Sequence, residues 1–253
     1  MVDMKSDSNA VKRELKKISA PEKARASAWF FKTGKGEYGY GDVFYGVTVP
    51  EQRKIAGKFA DLPLAEIGKL LKNKVHECRL TALFILVGKF KKAKTIEQNK
   101  IAKFYIAHKK YINNWDLVDS SAPYILGRYF LDKDKEILYK LARSKSLWDR
   151  RIAVLSAGGF IRENRFEDVL QISEILLGDK HDLVHKAVGW MLREVGKRSA
   201  GTEEKFLKKH AGAMPRTMLR YAIEKFSSEK RKYYLHLTRH TQKRREREDF
   251  RVC

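Results

Sequence analysis

The sequence predicts an all-α protein made of stacked helix pairs. Apolar residues recur at helical spacing along most of its 253 residues, and the segments between the predicted helices are short. The helices group in pairs that return at intervals of roughly 35 to 45 residues, which is the period of HEAT and armadillo repeats. Trp115, Trp148 and Trp190 fall in successive pairs. Because such repeats stack into a curved solenoid, we expect a HEAT-like solenoid with a concave basic groove that these tryptophans could line.

The first predicted helix pair covers residues 10–18 and 21–31, with Ser19 as the cap of the second helix and Pro21 near its start. Residues 44–49 have a strand-like pattern, but no partner strand is in view, so we interpret them as an extended entry to the next helix. The remaining helices are predicted at residues 50–59, 64–71, 77–90, 95–109, 115–130, 135–143, 147–160, 166–177, 183–197, 203–210 and 215–226.

These patterns divide the chain into three parts. Residues 1–19 are a polar leader with an N-terminal helix, residues 20–228 form the repeat domain, and residues 229–253 form a basic C-terminal helix or tail. The leader lacks the apolar segment of a signal peptide. The two cysteines, Cys78 and Cys253, fit neither a disulfide framework nor a metal site. We therefore expect a cytoplasmic, reduced protein without a bound metal.

The charge of the chain predicts a polyanionic partner. Lys and Arg number 54 against 31 Asp and Glu, which gives a formal net charge of +23. A membrane surface is the competing polyanion, but no run of about 18 apolar residues occurs and the basic residues are spread over many segments. We therefore expect nucleic acid as the partner and no membrane. The basic run at residues 243–248 is interpreted as a solvated helix end or tail, or as a source of additional non-specific DNA affinity.

A loop at residues 32–42 contains four glycines among basic and aromatic residues. It is neither a phosphate-binding P-loop nor a dinucleotide fingerprint, because no strand precedes it and the GK[ST] ending is absent. Two interpretations stay open. The loop is a flexible connector, or Lys32, Lys35 and its backbone amides contact a phosphate backbone.

The segment at residues 113–119 is the most informative one for function. It reads as the first turn of a helix capped by Asn113 or Asn114. Trp115 and Asp119 are four residues apart, so an indole and a carboxylate share one face. Such a pair suits a flat, cationic ligand, because the ring quadrupole and the carboxylate both attract positive charge. The alternative is that Trp115 belongs to the core and Asp119 is a solvated charge favoured by the helix dipole.

Two arginines, Arg150 and Arg151, stand at the start of another predicted helix. We expect Arg151 to face a phosphate, since Asp149 and Glu163 are the acidic residues near enough in sequence to compete for it. Ordinary packing between repeat helices is the alternative.

Trp190 follows two small residues, Ala187 and Gly189. The small side chains would let a broad surface approach the helix closely. Alternatively, they seat a neighbouring helix and Trp190 is interior.

Six segments of the chain, in this order, resemble the AlkD-like DNA alkylation repair proteins. They are FFKTGKGEYG at 30–39, GVTVPE at 46–51, WDLVD at 115–119, RR at 150–151, KAVGWMLRE at 186–194 and MPRTMLRYAIE at 214–224. The resemblance extends from about residue 20 to about residue 228. It implies a HEAT-like solenoid and a monofunctional DNA glycosylase that releases positively charged alkylated purines, of the 3-methyladenine and 7-methylguanine type, from double-stranded DNA in the first step of base excision repair.

The resemblance also implies a set of site residues. Asp119, Trp115 and Trp190 would act on the substrate, Arg151 would hold the DNA backbone, and a further aromatic contact would come from Trp29 or Phe30. From their own positions in the sequence, we add Arg150, Lys32 and Lys35 as further candidates for contact with the DNA backbone.

The expected reaction requires no cofactor. Alkylation of a ring nitrogen makes the purine a good leaving group, and Asp119 could stabilise the cationic sugar and position water, as carboxylates do in glycoside hydrolysis. We therefore expect no cofactor, and a monomer acting on DNA in the cytoplasm, associated with the nucleoid. One alternative is a non-catalytic HEAT-repeat protein that binds distorted or branched DNA. The other is a protein-interaction scaffold, against which the net charge of +23 argues.

Overall fold

The computed structural model describes residues 7–237, and these residues are almost entirely helical. Fifteen α-helices lie wholly within this range. In the same range, β-structure is limited to one isolated parallel bridge between Val43 and Val75. The prediction of an all-α protein is therefore confirmed. Of the strand-like segment at 44–49, residues 44–48 follow this bridge without regular secondary structure, and residue 49 begins the next helix.

The helices are α1 (Ser8–Lys17), α2 (Pro21–Phe30), α3 (Val49–Lys58), α4 (Leu64–Leu71), α5 (His76–Lys92), α6 (Thr95–His108), α7 (Trp115–Asp119), α8 (Ala122–Tyr129), α9 (Glu136–Ala142), α10 (Leu147–Ser156), α11 (Gly158–Ile161), α12 (Glu167–Ile175), α13 (Asp182–Arg198), α14 (Ala200–His210) and α15 (Arg216–Ala222). Short 3₁₀ helices cover Lys109–Tyr111 and Ile223–Lys225. Residues 228–237 are helical as well, whereas the basic run at 243–248 lies outside the described residues.

The chain forms two compact units, the first ending at Tyr129 and the second beginning at Phe130. In the first unit, every residue from Val75 to Val87 is buried. A helix that is buried on all sides lies at the centre of a core, and α5 accordingly packs against α3, α4 and α6.

The second unit is built around α13, which packs against α10, α14 and α15. Gly189 fixes the distance to α15, because a Cβ atom added to it would lie 2.3 Å from the Met218 carbonyl oxygen. The small residue before Trp190 therefore seats a neighbouring helix, as one of the two sequence interpretations proposed.

Two predicted helices are broken in the structure. The helix predicted at 115–130 ends at Asp119 and resumes at Ala122. Pro123 explains the break, because in a continuous helix its ring would clash with the carbonyl of the residue four positions earlier. The helix predicted at 147–160 divides at Ala157, just before the Gly158–Gly159 pair, and glycine weakens helix interiors.

The predicted cap of α2 was wrong. Ala20, not Ser19, occupies the N-cap position, and no side chain caps this end. The Ala20 N–H donates to the Tyr45 carbonyl at 2.8 Å, so the backbone of a distant segment fixes the start of the helix. None of the helices within residues 7–237 is long and apolar enough to cross a membrane.

Candidate functional site

Helix α7 carries the two residues that the sequence singled out. Asn114 is its N-cap, and its side-chain oxygen accepts a hydrogen bond from the Trp115 N–H at 2.8 Å. Of the two asparagines considered, Asn114 is thus the cap. Trp115 and Asp119 are the first and last residues of this helix, and both are half-buried. The short helix presents a ring and a carboxylate that each remain partly accessible.

Aromatic side chains from the end of α2 surround Trp115. The Phe31 ring stacks on the Trp115 ring at 5.3 Å between centroids and an interplanar angle of 23°. The Phe30 ring meets Trp115 edge-on at 5.9 Å and is 56% exposed, while Trp29 is 84% exposed. Of the two aromatic residues considered from the sequence, Phe30 is the one with this ring contact. Phe31 was not among the candidates.

A buried ionic network lies directly beneath these rings. His76 Nε2 is 2.7 Å from an Asp116 carboxylate oxygen, and His76 Nδ1 is 3.1 Å from an Asp42 carboxylate oxygen. Arg79 pairs with the other oxygen of Asp42 at 2.7 Å. The His76 side chain is 2% exposed. Two carboxylates and two cationic side chains thus balance each other, with side chains between 2% and 13% exposed.

The network changes the pKa of its members. Burial alone would lower the pKa of His76, but the Asp116 charge and the hydrogen bonds to Asp116 and Asp42 outweigh it and raise this pKa to about 9. Burial would raise the pKa of Asp42, but hydrogen bonding to His76 and the charge of Arg79 lower it instead. His76 is therefore an imidazolium at neutral pH.

Glu77, the neighbour of His76, holds the segment that follows the glycine-rich loop. Its buried carboxylate accepts hydrogen bonds from the backbone N–H groups of Tyr45, Gly46 and Val47 at 3.1, 2.8 and 3.3 Å. Gly46 has a φ of 78°, and a Cβ atom there would lie 2.2 Å from the Ala20 carbonyl oxygen. The start of α5 therefore fixes both α7 and this segment. Neither His76 nor Glu77 stood out in the sequence, because their partners are more than 29 residues away.

The glycine-rich loop is itself hydrogen-bonded. The Gly39 N–H donates to the Lys32 carbonyl at 3.0 Å, and the Gly34 N–H donates to the Glu37 carboxylate at 2.8 Å. The loop and the end of α2 border an open depression of about 770 Å³. Lys32 and Lys35 are exposed, so both can reach a large partner. A contact with phosphate remains a prediction for both.

Arg150 and Arg151 lie in the second unit, at the start of α10. Arg151 is 5% exposed and donates to the Leu183 carbonyl oxygen. Arg150 donates to Asp179 through Nε at 2.5 Å and to the Ser144 carbonyl at 3.0 Å. Both guanidinium groups thus have protein partners, and their role at a DNA backbone stays a prediction.

Trp190 also belongs to the second unit. It is half-buried, and its Nε1–H donates to the Glu194 carboxylate at 3.1 Å. The indole is therefore oriented by a residue of its own helix, one turn further along. Its contact with a substrate stays a prediction.

Comparison with known proteins finds one matching family model and similar solved structures. A family model described as DNA alkylation repair enzyme matches residues 11–226. A solved structure described as a predicted DNA alkylation repair enzyme from Enterococcus faecalis has a TM-score of 0.65 and 16% identity, covering 83% of this chain and 97% of that one. The protein smu.31 from Streptococcus mutans UA159 has a TM-score of 0.45 and 19% identity, covering 91% of this chain and 96% of its own. No protein of curated function matches the chain.

Proposed function

The chain belongs to the DNA alkylation repair enzyme family, and we propose that it is a monofunctional DNA glycosylase. Its substrates would be positively charged alkylated purines, of the 3-methyladenine and 7-methylguanine type, in double-stranded DNA. The reaction would be hydrolysis of the N-glycosidic bond, the first step of base excision repair.

The observation that carries this proposal is the pairing of Trp115 and Asp119 on one short capped helix. Both side chains are partly exposed, four residues apart, in a chain of net charge +23. A carboxylate presented beside an aromatic plane attracts a flat cation. An alkylated purine is such a cation, and the surrounding positive charge attracts the DNA that contains it.

Charge moves from the base to the sugar as the glycosidic bond breaks. Asp119 would stabilise the oxocarbenium-like sugar and position the attacking water. Trp115 and Trp190 would hold the cationic base or the deoxyribose through their ring faces, each contact contributing about 0.5 to 2 kcal/mol. The proposed reaction ends with an abasic site and an intact strand, because water is the nucleophile.

The DNA backbone would be held by exposed lysines and by the arginines of α10. Lys32 and Lys35 project from the glycine-rich loop next to the aromatic side chains of α2. Each phosphate neutralised by such a side chain releases counterions, so we expect affinity for DNA to fall steeply with salt. Arg150 and Arg151 are proposed to act from the second unit, and a contact with phosphate would require them to exchange their present carbonyl and carboxylate partners for it.

The test is release of base from duplex DNA that carries a single 7-methylguanine, measured under single-turnover conditions. Asp119→Asn removes the charge with little change of shape. We expect it to lower the rate constant at least about 100-fold, because a group aimed at developing charge typically contributes that much. Asp61→Asn makes the same substitution at an exposed residue of the same unit and should leave the rate constant unchanged.

Three outcomes separate the candidate functions. Release by the wild-type protein and by Asp61→Asn, but not by Asp119→Asn, supports the glycosylase. Release at an undiminished rate by Asp119→Asn would remove this carboxylate from the mechanism. Salt-sensitive binding without release by any variant would favour a non-catalytic protein that binds distorted or branched DNA.

A further inference from the structure

We propose that His76 is a positioning residue for base release, because it joins the end of the glycine-rich loop to α7, the helix that carries Trp115 and Asp119. This inference rests on the proposed glycosylase function and assigns a role to the loop within it. His76 itself would not touch the substrate, since its side chain is buried.

The first step of the argument is the hydrogen bonding of the imidazole. A neutral imidazole has one N–H and can donate to one acceptor only. Both ring nitrogens of His76 face carboxylate oxygens, at 2.7 Å to Asp116 and 3.1 Å to Asp42. Satisfying both requires the imidazolium, which then links two segments that are far apart in the sequence.

The second step is that Asp42, which bonds His76, also bonds the cap residue of α7. Asn114 donates through Nδ2 to the same Asp42 oxygen at 3.3 Å, and Asn114 is also the cap of α7. The cap and the first-turn carboxylate of α7 are therefore both tied to the His76–Asp42 pair. A helix of five residues has few internal hydrogen bonds of its own, so these external bonds set its orientation.

The third step is the stack of rings around His76. The imidazole centroid is 4.8 Å from the Phe31 ring and 4.9 Å from the Phe44 ring. Phe31 in turn stacks on Trp115 at 5.3 Å. An imidazolium against aromatic faces is stabilised by the ring quadrupoles. His76 thus reaches Trp115 by a second route that does not pass through Asp116.

The consequence concerns the chemical step more than binding. A displacement of a reacting group by about 1 Å can lower a rate constant about 100-fold. Loss of the hydrogen bonds from His76 to Asp42 and Asp116 would let α7 shift, and Trp115 and Asp119 would move with it. The exposed lysines that face DNA would stay in place, because the loop keeps the Lys32–Gly39 and Gly34–Glu37 hydrogen bonds.

The experiment uses the full chain and two variants of the link. His76→Phe keeps a flat ring between Phe31 and Phe44 but removes both hydrogen bonds. Asp42→Asn keeps the shape of the partner and removes its charge. Base release and affinity are measured on the 7-methylguanine duplex, and thermal unfolding establishes that each variant is folded.

A spectroscopic readout separates positioning from general loss of structure. The chain has four tryptophans, so fluorotryptophan labelling gives a short fluorine NMR spectrum in which Trp115→Phe identifies the Trp115 signal. The matched control is His210→Phe in the second unit. His210 also faces a carboxylate, Glu174, at 2.9 Å and also lies against a ring, Phe206, at 4.5 Å.

We expect His76→Phe to lower the single-turnover rate constant by about 10- to 100-fold, to change DNA affinity less than about twofold, and to shift the Trp115 signal. Asp42→Asn should lower the rate constant and shift the Trp115 signal to a smaller extent. His210→Phe should change neither the rate constant nor the Trp115 signal. Unchanged base release by a folded His76→Phe, or lost release with an unmoved Trp115 signal, would overturn the positioning role while leaving the glycosylase proposal intact. Absence of release by the wild-type protein would overturn the proposed function, and a shifted Trp115 signal would then show a link that serves structure alone.

Discussion

The two units each contain a helix of 17 residues, α5 in the first and α13 in the second, and charged residues buried at or near these two helices differ in their hydrogen bonding. At the start of α5, His76 and Glu77 are buried and fully hydrogen-bonded. Beyond the end of α13, the buried Glu203 has a carboxylate oxygen without a hydrogen-bond partner within residues 7–237. The buried His76 and Glu77 thus fix the positions of segments in the first unit, whereas no hydrogen bond within residues 7–237 offsets the cost of burying this oxygen of Glu203.

Both groups have a raised pKa, and the signs of their effects can be worked out. Folded His76 has a pKa of about 9 against a usual 6.5. Burial, and then the charge of Glu204, raise the pKa of Glu203 to about 8 from a usual 4.5. In each window the folded state binds a proton that the unfolded state has lost, so the free energy of unfolding falls as pH rises. The causes of the two raised pKa values differ. Carboxylate partners stabilise the charged form of His76, whereas burial destabilises the charged form of Glu203.

The largest expected effect is at His76. His76→Gln removes a buried cation between two carboxylates, and we expect the free energy of unfolding at pH 7 to fall by about 3 to 5 kcal/mol. The part of the pH dependence between 6.5 and 9 that His76 causes should disappear. Denaturant unfolding at several pH values measures both. A variant as stable as the wild type at pH 7 would mean that the interaction of His76 with the two carboxylates makes no net contribution to the free energy of unfolding.

The second effect tests packing in α13. Gly189→Ala places a Cβ atom 2.3 Å from the Met218 carbonyl oxygen and 2.6 Å from the Tyr221 Cβ. Since neither helix can yield easily, we expect a loss of about 1 to 3 kcal/mol of unfolding free energy. Thermal unfolding of the variant measures it. A neutral result would mean that α13 and α15 can separate without cost.

The third effect has the opposite sign and concerns Glu203. Glu203→Met replaces the carboxylate, one oxygen of which has no hydrogen-bond partner within residues 7–237, by an apolar side chain of similar length. At pH 8 we expect a gain of about 1 to 3 kcal/mol in the free energy of unfolding. The gain should shrink as pH falls from 8 towards 4.5 and become constant below 4.5, where the wild-type carboxyl is protonated in both the folded and the unfolded state. Gly196 must be kept, because it faces this carboxylate directly. A loss of stability at pH 8 would contradict the idea that burial of this carboxylate is costly.

The sequence predicted the helices well and the site in part. Periodicity located α4 at its observed bounds, because its apolar face repeats regularly. The polar pattern narrowed the cap of α7 to Asn113 or Asn114, of which Asn114 is the observed one. The network around His76 could not be predicted, because hydrogen bonds across 34 and 40 residues leave no local pattern. Phe31 was missed for a related reason: three consecutive aromatic residues give no indication of which one stacks on a distant ring.

The smallest expected effect compares glycines in the two long helices. In contrast to Gly189, a Cβ atom added to Gly88 of α5 would meet nothing within 4 Å. Gly88 borders an open cavity of about 510 Å³ between α3 and α5. Gly88→Ala should therefore stabilise the protein by about 0.5 to 1 kcal/mol through lower backbone entropy of the unfolded chain.

Thermal unfolding and single-turnover base release together measure this last variant. Unchanged release with a small gain in stability would mean that the glycine has no structural requirement in α5. A loss of stability would instead show that position 88 requires glycine. A loss of activity at unchanged stability would mean that the close approach of another molecule at this helix matters for function.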